Sequence, residues 1–261
     1  MDYRLKTMGI GEVLDTAFHV LKEDFWLLCA ITGAVVFIPQ FLPSVFRHYV
    51  EALPKDPSQF TPEMLPLLIV FLGVSVLVWI AMLIFGPFAN AAVMKVVADR
   101  YLGNPTSFRA AYGYVFRRFW KLMTAVLVSG LLIVLGTFCC IVPGVLLMLH
   151  YFVVSAVVVV EDTGGLAAMR RSGQLMAGNK AMAFVLWILV AVLSATANSM
   201  FLIVPQILVR GLLQACFNVV SQAFLQVIVT IVYLHTRCQK EAFDLERLAD
   251  ALGTAGTSAE A

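Results

Sequence analysis

The chain has 261 residues, of which 61% are hydrophobic and only 13% are charged. Soluble globular proteins are about 45–50% apolar and about 25% charged, so this composition excludes a soluble domain, which would need a polar exterior at this size. The formal net charge of +2 is too small to indicate a nucleic-acid partner.

The first third of the chain is an amphipathic segment followed by an apolar run. Residues 8–24 place apolar side chains on one helical face and charged side chains on the other, which predicts a helix lying in the membrane interface. The apolar face comprises Ile10, Val13, Leu14, Ala17, Phe18 and Leu21. The first run covers about residues 25–46, with Pro39 and Pro43 near its far end, where they can kink or end a helix. Residues 47–65 are polar and proline-rich, which indicates an extramembrane loop.

The middle third repeats this plan. The second run, at about residues 66–94, exceeds the length of about 20 residues that a spanning helix requires, and a second amphipathic helix is predicted at about 107–119. The third run, at about 120–140, meets the fourth, at about 144–160, in a corner predicted at Val142-Pro143-Gly144.

The last third contains a third amphipathic helix at about residues 165–177, which ends at Gly178-Asn179. The fifth run, at about 181–204, and the sixth, at about 211–235, meet at a second Ile-Val-Pro sequence. Residues 1–238 therefore read as one membrane domain, and residues 239–261 as a tail with a short helix and a disordered end. The predicted fold class is an all-α polytopic membrane protein. An amphipathic segment before each hairpin fits a degenerate threefold repeat, or simply a hairpin protein with interfacial helices.

The cations are unevenly distributed about the six predicted spans. Fifteen of the 18 Lys and Arg residues fall on the side that holds both termini and the three amphipathic helices. The positive-inside rule therefore predicts that both termini and these helices are cytoplasmic.

Residues suited to catalysis are missing from the apolar runs. No H-E-x-x-H, G-x-S-x-G or Gly-rich phosphate loop occurs. No Asp, Glu or Lys occurs at residues 66–94, 122–160 or 181–236. The five cysteines, mostly within apolar runs, are expected to be buried small side chains. The sequence therefore predicts a protein that is not an enzyme and holds no cofactor or metal.

A polar row on the sixth run is the most informative functional pattern. Polar residues recur every four positions, at Arg210, Gln214, Asn218, Gln222, Gln226 and Thr230, with Ser221 beside them. Four residues turn a helix by about 400°, so the row wraps slowly around it. Amides facing lipid would lose hydrogen bonds at a cost of several kcal/mol each, so the row must face other helices or water.

Partners for the row are expected at Asn198 and Gln206 on the fifth run and at Asn90 on the second. Three interpretations remain open: hydrogen bonds between helices, a polar cavity or pathway for a small polar or lipid-headgroup substrate, and an oligomer interface. His150 lies alone in the fourth run, where an interhelical hydrogen bond is more typical than a ligand role, although a buried imidazole can titrate.

Five arginines are candidates for contacts with anionic phospholipid. Arg117, Arg118, Arg170 and Arg171 lie on the predicted cytoplasmic side, although such residues more often reflect orientation alone. Arg210 lies at the opposite end of the sixth run, where snorkelling or contact with a lipid phosphate is expected.

Three segments resemble a loose group of bacterial membrane families. They read G-I-G-E-V-L-D-T-A-F at Gly9–Phe18, I-V-P-G at Ile141–Gly144 and E-D-x-G-G-L-A-A-M-R-R-S-x-x-L-M-x-G-N at Glu161–Asn179. These families are named for the membrane domain of glycerophosphoryl diester phosphodiesterase, or are recorded as uncharacterised six-span inner-membrane proteins. The resemblance implies a six-helix protein of the bacterial cytoplasmic membrane. It does not imply phosphodiesterase activity, because the chemistry of that family belongs to a separate soluble domain for which this chain has no room.

The sequence thus leads to two functional hypotheses. The first is a non-catalytic inner-membrane scaffold or accessory protein that serves envelope maintenance or a partner complex. The alternative is a transporter or lipid-handling protein with a polar pathway along the sixth span. The expected partners are the lipid bilayer, anionic phospholipid, and a second copy of the chain or a membrane partner protein.

Overall fold

The computed structural model describes residues 9–51, 64–101 and 106–257, and within these ranges the regular structure is entirely helical. Six segments are long and apolar enough to cross a membrane, which confirms the all-α polytopic fold. They are Phe25–Tyr49, Ile69–Tyr101, Phe119–Cys139, Ile141–Glu161, Lys180–Ile203 and Ile207–Glu241.

Ten α-helices build these six spans and three shorter amphipathic elements. In chain order they are α1 (Ile10–Glu23), α2 (Phe25–Glu51), α3 (Met64–Tyr101), α4 (Phe108–Phe116), α5 (Phe119–Cys139), α6 (Ile141–His150), α7 (Val154–Glu161), α8 (Gly165–Met176), α9 (Lys180–Met200) and α10 (Ile207–Thr257). The amphipathic helices α1, α4 and α8 lie at one end of the bundle, together with Arg100, Arg118, Arg171 and Arg237, and we call this the basic end.

Helix α1 packs against α10 and α2 through a narrower stripe than its apolar pattern predicts. The buried residues are Val13, Ala17, Val20 and Leu21, whereas Phe18 is 63% exposed. The backbone N–H of Gly9 donates to Glu12 Oε2 at 2.9 Å, which caps the first turn. The apolar face is thus divided between the bundle and the side that Phe18 presents outward.

The corner before the fourth span lies earlier than the Val142-Pro143-Gly144 prediction. The chain turns at Cys140, whose backbone is extended, and α6 begins at Ile141. Pro143 therefore occupies the first helical turn, where the missing N–H costs no hydrogen bond. Gly144 serves close helix packing instead of the turn, because a Cβ there would lie 2.1 Å from Thr137 Oγ1 on α5.

The fourth span is also broken in its middle, between α6 and α7, where a continuous helix is predicted. The residues between the two helices are Tyr151–Val153. The carbonyl oxygen of His150, at the end of α6, accepts a hydrogen bond from Ser172 Oγ of α8 at 3.0 Å. Helix α8 thus satisfies a backbone group that the break leaves without its regular helical partner.

The end of the chain also differs from the predicted short helix and disordered tail. Helix α10 begins at Ile207 and continues without a break to Thr257. It therefore includes part of the segment expected to be disordered, and residues 258–261 lie outside the described ranges. Helical residues of α10 beyond the apolar run contribute contacts at the basic end, where Glu241 pairs with Arg171.

Helices α2 and α10 form the most extensive pair within the described residues. Small residues allow this approach: Gly33 lies opposite Val219, and a Cβ on Gly211 would lie 2.2 Å from the Cβ of Ser44. Gln226–Tyr233 are buried without interruption, so this part of α10 is surrounded by other helices. The polar row on α10 consequently faces protein along its inner half.

Candidate functional site

The polar row of α10 meets amide side chains from three other spans. Asn218 lies at the centre: its Oδ1 accepts from Asn198 Nδ2 of α9 at 3.0 Å, and its Nδ2 lies 3.4 Å from Gln40 Oε1 of α2. One turn further along, Gln222 Nε2 donates to Asn90 Oδ1 of α3 at 3.3 Å. Helices α2, α3, α9 and α10 are therefore joined by amide hydrogen bonds within the apolar spans.

Further polar contacts extend this arrangement between α9 and α10. Gln214 Nε2 donates to the backbone oxygen of Asn198 at 3.3 Å. Asn198 Nδ2 also donates to the backbone oxygen of Ser194 at 2.8 Å, and the hydroxyls of Ser194 and Ser221 are hydrogen-bonded to each other. We call Gln40, Asn90, Ser194, Asn198, Gln214, Asn218, Ser221 and Gln222 together the polar cluster.

The inner end of the row does not belong to the polar cluster. Gln226 is only 7% exposed and Thr230 is fully buried. Thr230 Oγ1 donates to the backbone oxygen of Gln226 at 2.8 Å. Each step of four residues rotates the row by about 40°, so these two side chains point away from the direction that Asn218 faces.

A cavity of about 230 Å³ lies beside the polar cluster, between α2, α9 and α10. Its lining consists of Gln40, Trp187, Val190, Ala191, Ser194, Asn218, Ser221, Gln222 and Leu225, none of which is charged. Ligand pockets measure roughly 300–1,000 Å³, so this cavity alone suits a few waters or one small polar group. We call it the polar cavity.

Two further candidate polar residues, Gln206 and His150, do not contact the polar cluster. Gln206 is exposed in the connection between α9 and α10. His150, at the end of α6, packs against Gly173 of α8, where a Cβ would lie 2.2 Å from its Nε2. Its ring also lies edge-on to Tyr151, with centroids 5.0 Å apart. Helix–helix packing therefore accounts for the position of His150.

The four arginines of this side that are predicted to contact lipid, Arg117, Arg118, Arg170 and Arg171, fall into two kinds. Arg118 lies over the ring of Tyr114, 3.8 Å from its centroid, and pairs with Asp162 at 2.6 Å. Arg171 pairs with the carboxylates of Glu161 and Glu241. Of the four, Arg117 and Arg170 are exposed and thus open to lipid headgroups.

A cluster of charged residues at the basic end has no counterpart in the sequence prediction. Arg171 of α8 donates to Glu161 of α7 at 3.2 Å and to Glu241 of α10 at 2.9 Å. Arg237 donates to Glu241 at 2.9 Å and to the hydroxyl of Tyr233 at 3.2 Å, and that hydroxyl donates to Glu161 at 3.1 Å. We call these five residues the ion-pair cluster, and it fastens α7, α8 and α10 together.

Helix α4 and the end of α7 carry a second set of ties. Hydrogen bonds from Arg118 and Lys121 hold the pKa of Asp162 below its usual range, and Asp162 ends α7 in the left-handed conformation with φ of 54°. Tyr112 of α4 donates to the backbone oxygen of Ile31 at 2.8 Å, and burial raises the pKa of Tyr112 to about 12. These contacts anchor α4 to α2 and α7 to α5.

Within the described ranges, no group of three His, Cys, Asp or Glu side chains lies close enough to hold a metal ion. The five cysteines are free thiols. The arrangement offers hydrogen-bond donors and acceptors to a bound molecule, and the polar cavity is where they converge. No family model, curated protein or solved structure matches this chain.

Proposed function

We propose that this chain is a non-catalytic multi-pass protein of the bacterial cytoplasmic membrane that acts as a scaffold or accessory subunit for envelope maintenance or a partner complex. The observation that carries the proposal is that Gln214, Asn218 and Gln222 each hydrogen-bond another helix. Interhelical hydrogen bonds of this kind contribute about 0.6–2 kcal/mol each, so the polar row works to hold the bundle together.

The bacterial location and the orientation rest on the sequence. The three resembling segments support a cytoplasmic-membrane protein, and the excess of cations supports cytoplasmic termini. Alkaline phosphatase, which is active only outside the cytoplasm, fused to either end is expected to be inactive. An active fusion at either end would contradict this orientation.

Cysteine accessibility tests the scaffold role. In a variant without the five native cysteines, single cysteines replace Gln214, Asn218 and Gln222 in intact membranes, and a water-soluble maleimide is added. We expect none of the three to react, because their neighbours are other helices. Gln206→Cys, in the exposed connection, is the positive control, and Leu213→Cys, on an exposed apolar position, is the negative control.

Reaction at positions 214, 218 and 222 would contradict the scaffold proposal and favour an aqueous polar pathway.

A second function, lipid handling, is favoured by a specific observation: the polar cavity contains uncharged hydrogen-bonding groups and adjoins an apolar groove on α3. This second function requires access from the bilayer and not from water, so an unreactive row is compatible with it.

A further inference from the structure

Helix α3 is longer than α2 between two contacts that join them. The two are joined at one end by Arg100 and Asp24, at 2.7 Å, and at the other by the stacked rings of Phe71 and Phe46, at 4.0 Å. Between these ties α2 advances by about 22 residues, or about 33 Å, whereas α3 advances by about 29 residues, or about 44 Å. Helix α3 is thus about 11 Å longer than α2 between the two contacts.

A groove follows the part of α3 that lies between these ties. It measures about 810 Å³ and is lined by Val76, Trp79, Ile80, Met82, Leu83, Gly86, Pro87 and Asn90. Trp79, Ile80 and Leu83 are among the exposed large apolar side chains. The groove is therefore apolar for most of its length and polar at Asn90. We call it the α3 groove.

The α3 groove and the polar cavity meet at a single hydrogen bond. Asn90 lines the groove and Gln222 lines the cavity, and Gln222 Nε2 donates to Asn90 Oδ1 at 3.3 Å. An apolar and largely open face of α3 thus adjoins a smaller hydrogen-bonding space. This combination matches an amphipathic molecule with a long apolar part and a compact polar part.

The lining of the polar cavity restricts the polar part to an uncharged group. The groups available are the amides of Gln40, Asn218 and Gln222 and the hydroxyls of Ser194 and Ser221. A charge placed there would lose its hydration without gaining a countercharge, which is costly in a low-dielectric site. Asn218 lies about 16 Å along α10 from Ile207, a depth that suits a neutral headgroup better than a phosphate.

We propose that the α3 groove and the polar cavity form one binding site for a membrane lipid with an uncharged, hydroxyl-bearing headgroup, its acyl chain along α3 and its headgroup beside Asn218 and Ser221. This inference rests on the lipid-handling function and names its ligand class. Gln222 Nε2 now donates to Asn90 Oδ1. If the oxygen of the lipid hydroxyl accepted that hydrogen bond in place of Asn90, the two spaces would be joined and Gln222 would keep an acceptor.

The test uses two photoreactive lipids that differ only in a phosphate: diacylglycerol and phosphatidic acid with the same diazirine-labelled acyl chain. The full chain is reconstituted in vesicles of phosphatidylethanolamine and phosphatidylglycerol, and cross-linked peptides are quantified by mass spectrometry. We expect diacylglycerol to label residues 76–87 about five- to tenfold more than phosphatidic acid, because the phosphate would lose its hydration beside the uncharged cavity.

Two variants with a matched control assign that labelling to the site. Gly86→Phe fills the groove and is expected to abolish the preferential labelling, whereas Gly73→Phe, at an open position of the same helix outside the groove lining, is expected to preserve it. Ser194→Ala with Ser221→Ala removes two hydroxyls that bond each other, so neither is left unpaired. This double variant is expected to lower labelling by diacylglycerol toward that by phosphatidic acid, because the neutral headgroup loses two hydrogen-bonding partners.

Each contrary result has a distinct meaning. Equal or stronger labelling of the groove by phosphatidic acid in the unaltered chain would overturn the uncharged-headgroup assignment. Labelling by both lipids that is no denser at residues 76–87 than at other exposed parts of α3, and insensitive to Gly86→Phe, would overturn lipid handling itself.

Discussion

Removal of the Arg171 side chain tests the ion-pair cluster most directly. Arg171 bridges Glu161, whose side chain is 16% exposed, and Glu241, whose side chain is 45% exposed. Hydrogen bonds to charged groups contribute about 1.5–3 kcal/mol when buried, and exposed ion pairs contribute about 0–1 kcal/mol. We therefore expect Arg171→Ala to lower the free energy of unfolding by about 2 kcal/mol, which at this chain length is a fall of about 4–8 °C in Tm.

The neighbouring Arg170 provides the matched control. It lies on the same helix and is exposed, so we expect Arg170→Ala to change Tm by less than about 1 °C, as for most surface substitutions. Tm is measured by tryptophan fluorescence of the two variants and the unaltered chain in identical lipid nanodiscs. A similar Tm for both variants would refute the reasoning that the ion-pair cluster stabilises the basic end.

Two further predictions concern helix packing and pH. Gly211→Ala is expected to lower stability by about 1–3 kcal/mol through overpacking against Ser44, and Ser44→Gly in the same chain should restore most of it. A double variant as unstable as the single one would contradict the Gly211–Ser44 contact, and thermal unfolding measures both. Hydrogen bonds from Arg118 and Lys121 depress the pKa of Asp162, so its stabilisation is full above the unfolded-state value of about 3.9 and is lost as pH falls through the lower folded-state value. We therefore expect Asp162→Asn, which tolerates the left-handed backbone, to be less stable than the unaltered chain at pH 7. The difference in stability should shrink as pH falls below about 4 and vanish only below the lower folded-state pKa of Asp162; a Tm difference independent of pH would contradict this.

Local features of the chain predicted the helices well, because their causes are local. A run of about 20 apolar residues forms a spanning helix whatever its neighbours are. The end of α8 also has a local cause. Gly178 follows the helix with φ of 89°, the left-handed conformation in which glycine commonly ends helices. The corner before α6 was less predictable, because proline is compatible both with a turn and with the first turn of a helix.

Contacts between distant segments decided the candidate site. The polar row indicates that α10 must face protein, but its spacing does not say which amide meets which partner. Asn218 lies near Gln40, 178 positions away in the chain, and Gln222 bonds Asn90, 132 positions away. The rotation of each helix about its axis decides these pairings, and it is set by packing such as that of Gly211 against Ser44.

The sequence by itself determined six membrane spans, their connection through three amphipathic helices and the concentration of cations at one end, because each follows from hydrophobic length and the local distribution of charge. Tertiary structure alone decided that Arg171 is paired while Arg170 is open, that the fourth span is broken beside Ser172, and that the polar cavity adjoins the α3 groove. These features depend on how separate helices approach each other in three dimensions. A bilayer constrains how long and how apolar a helix must be, but not which neighbour it packs against.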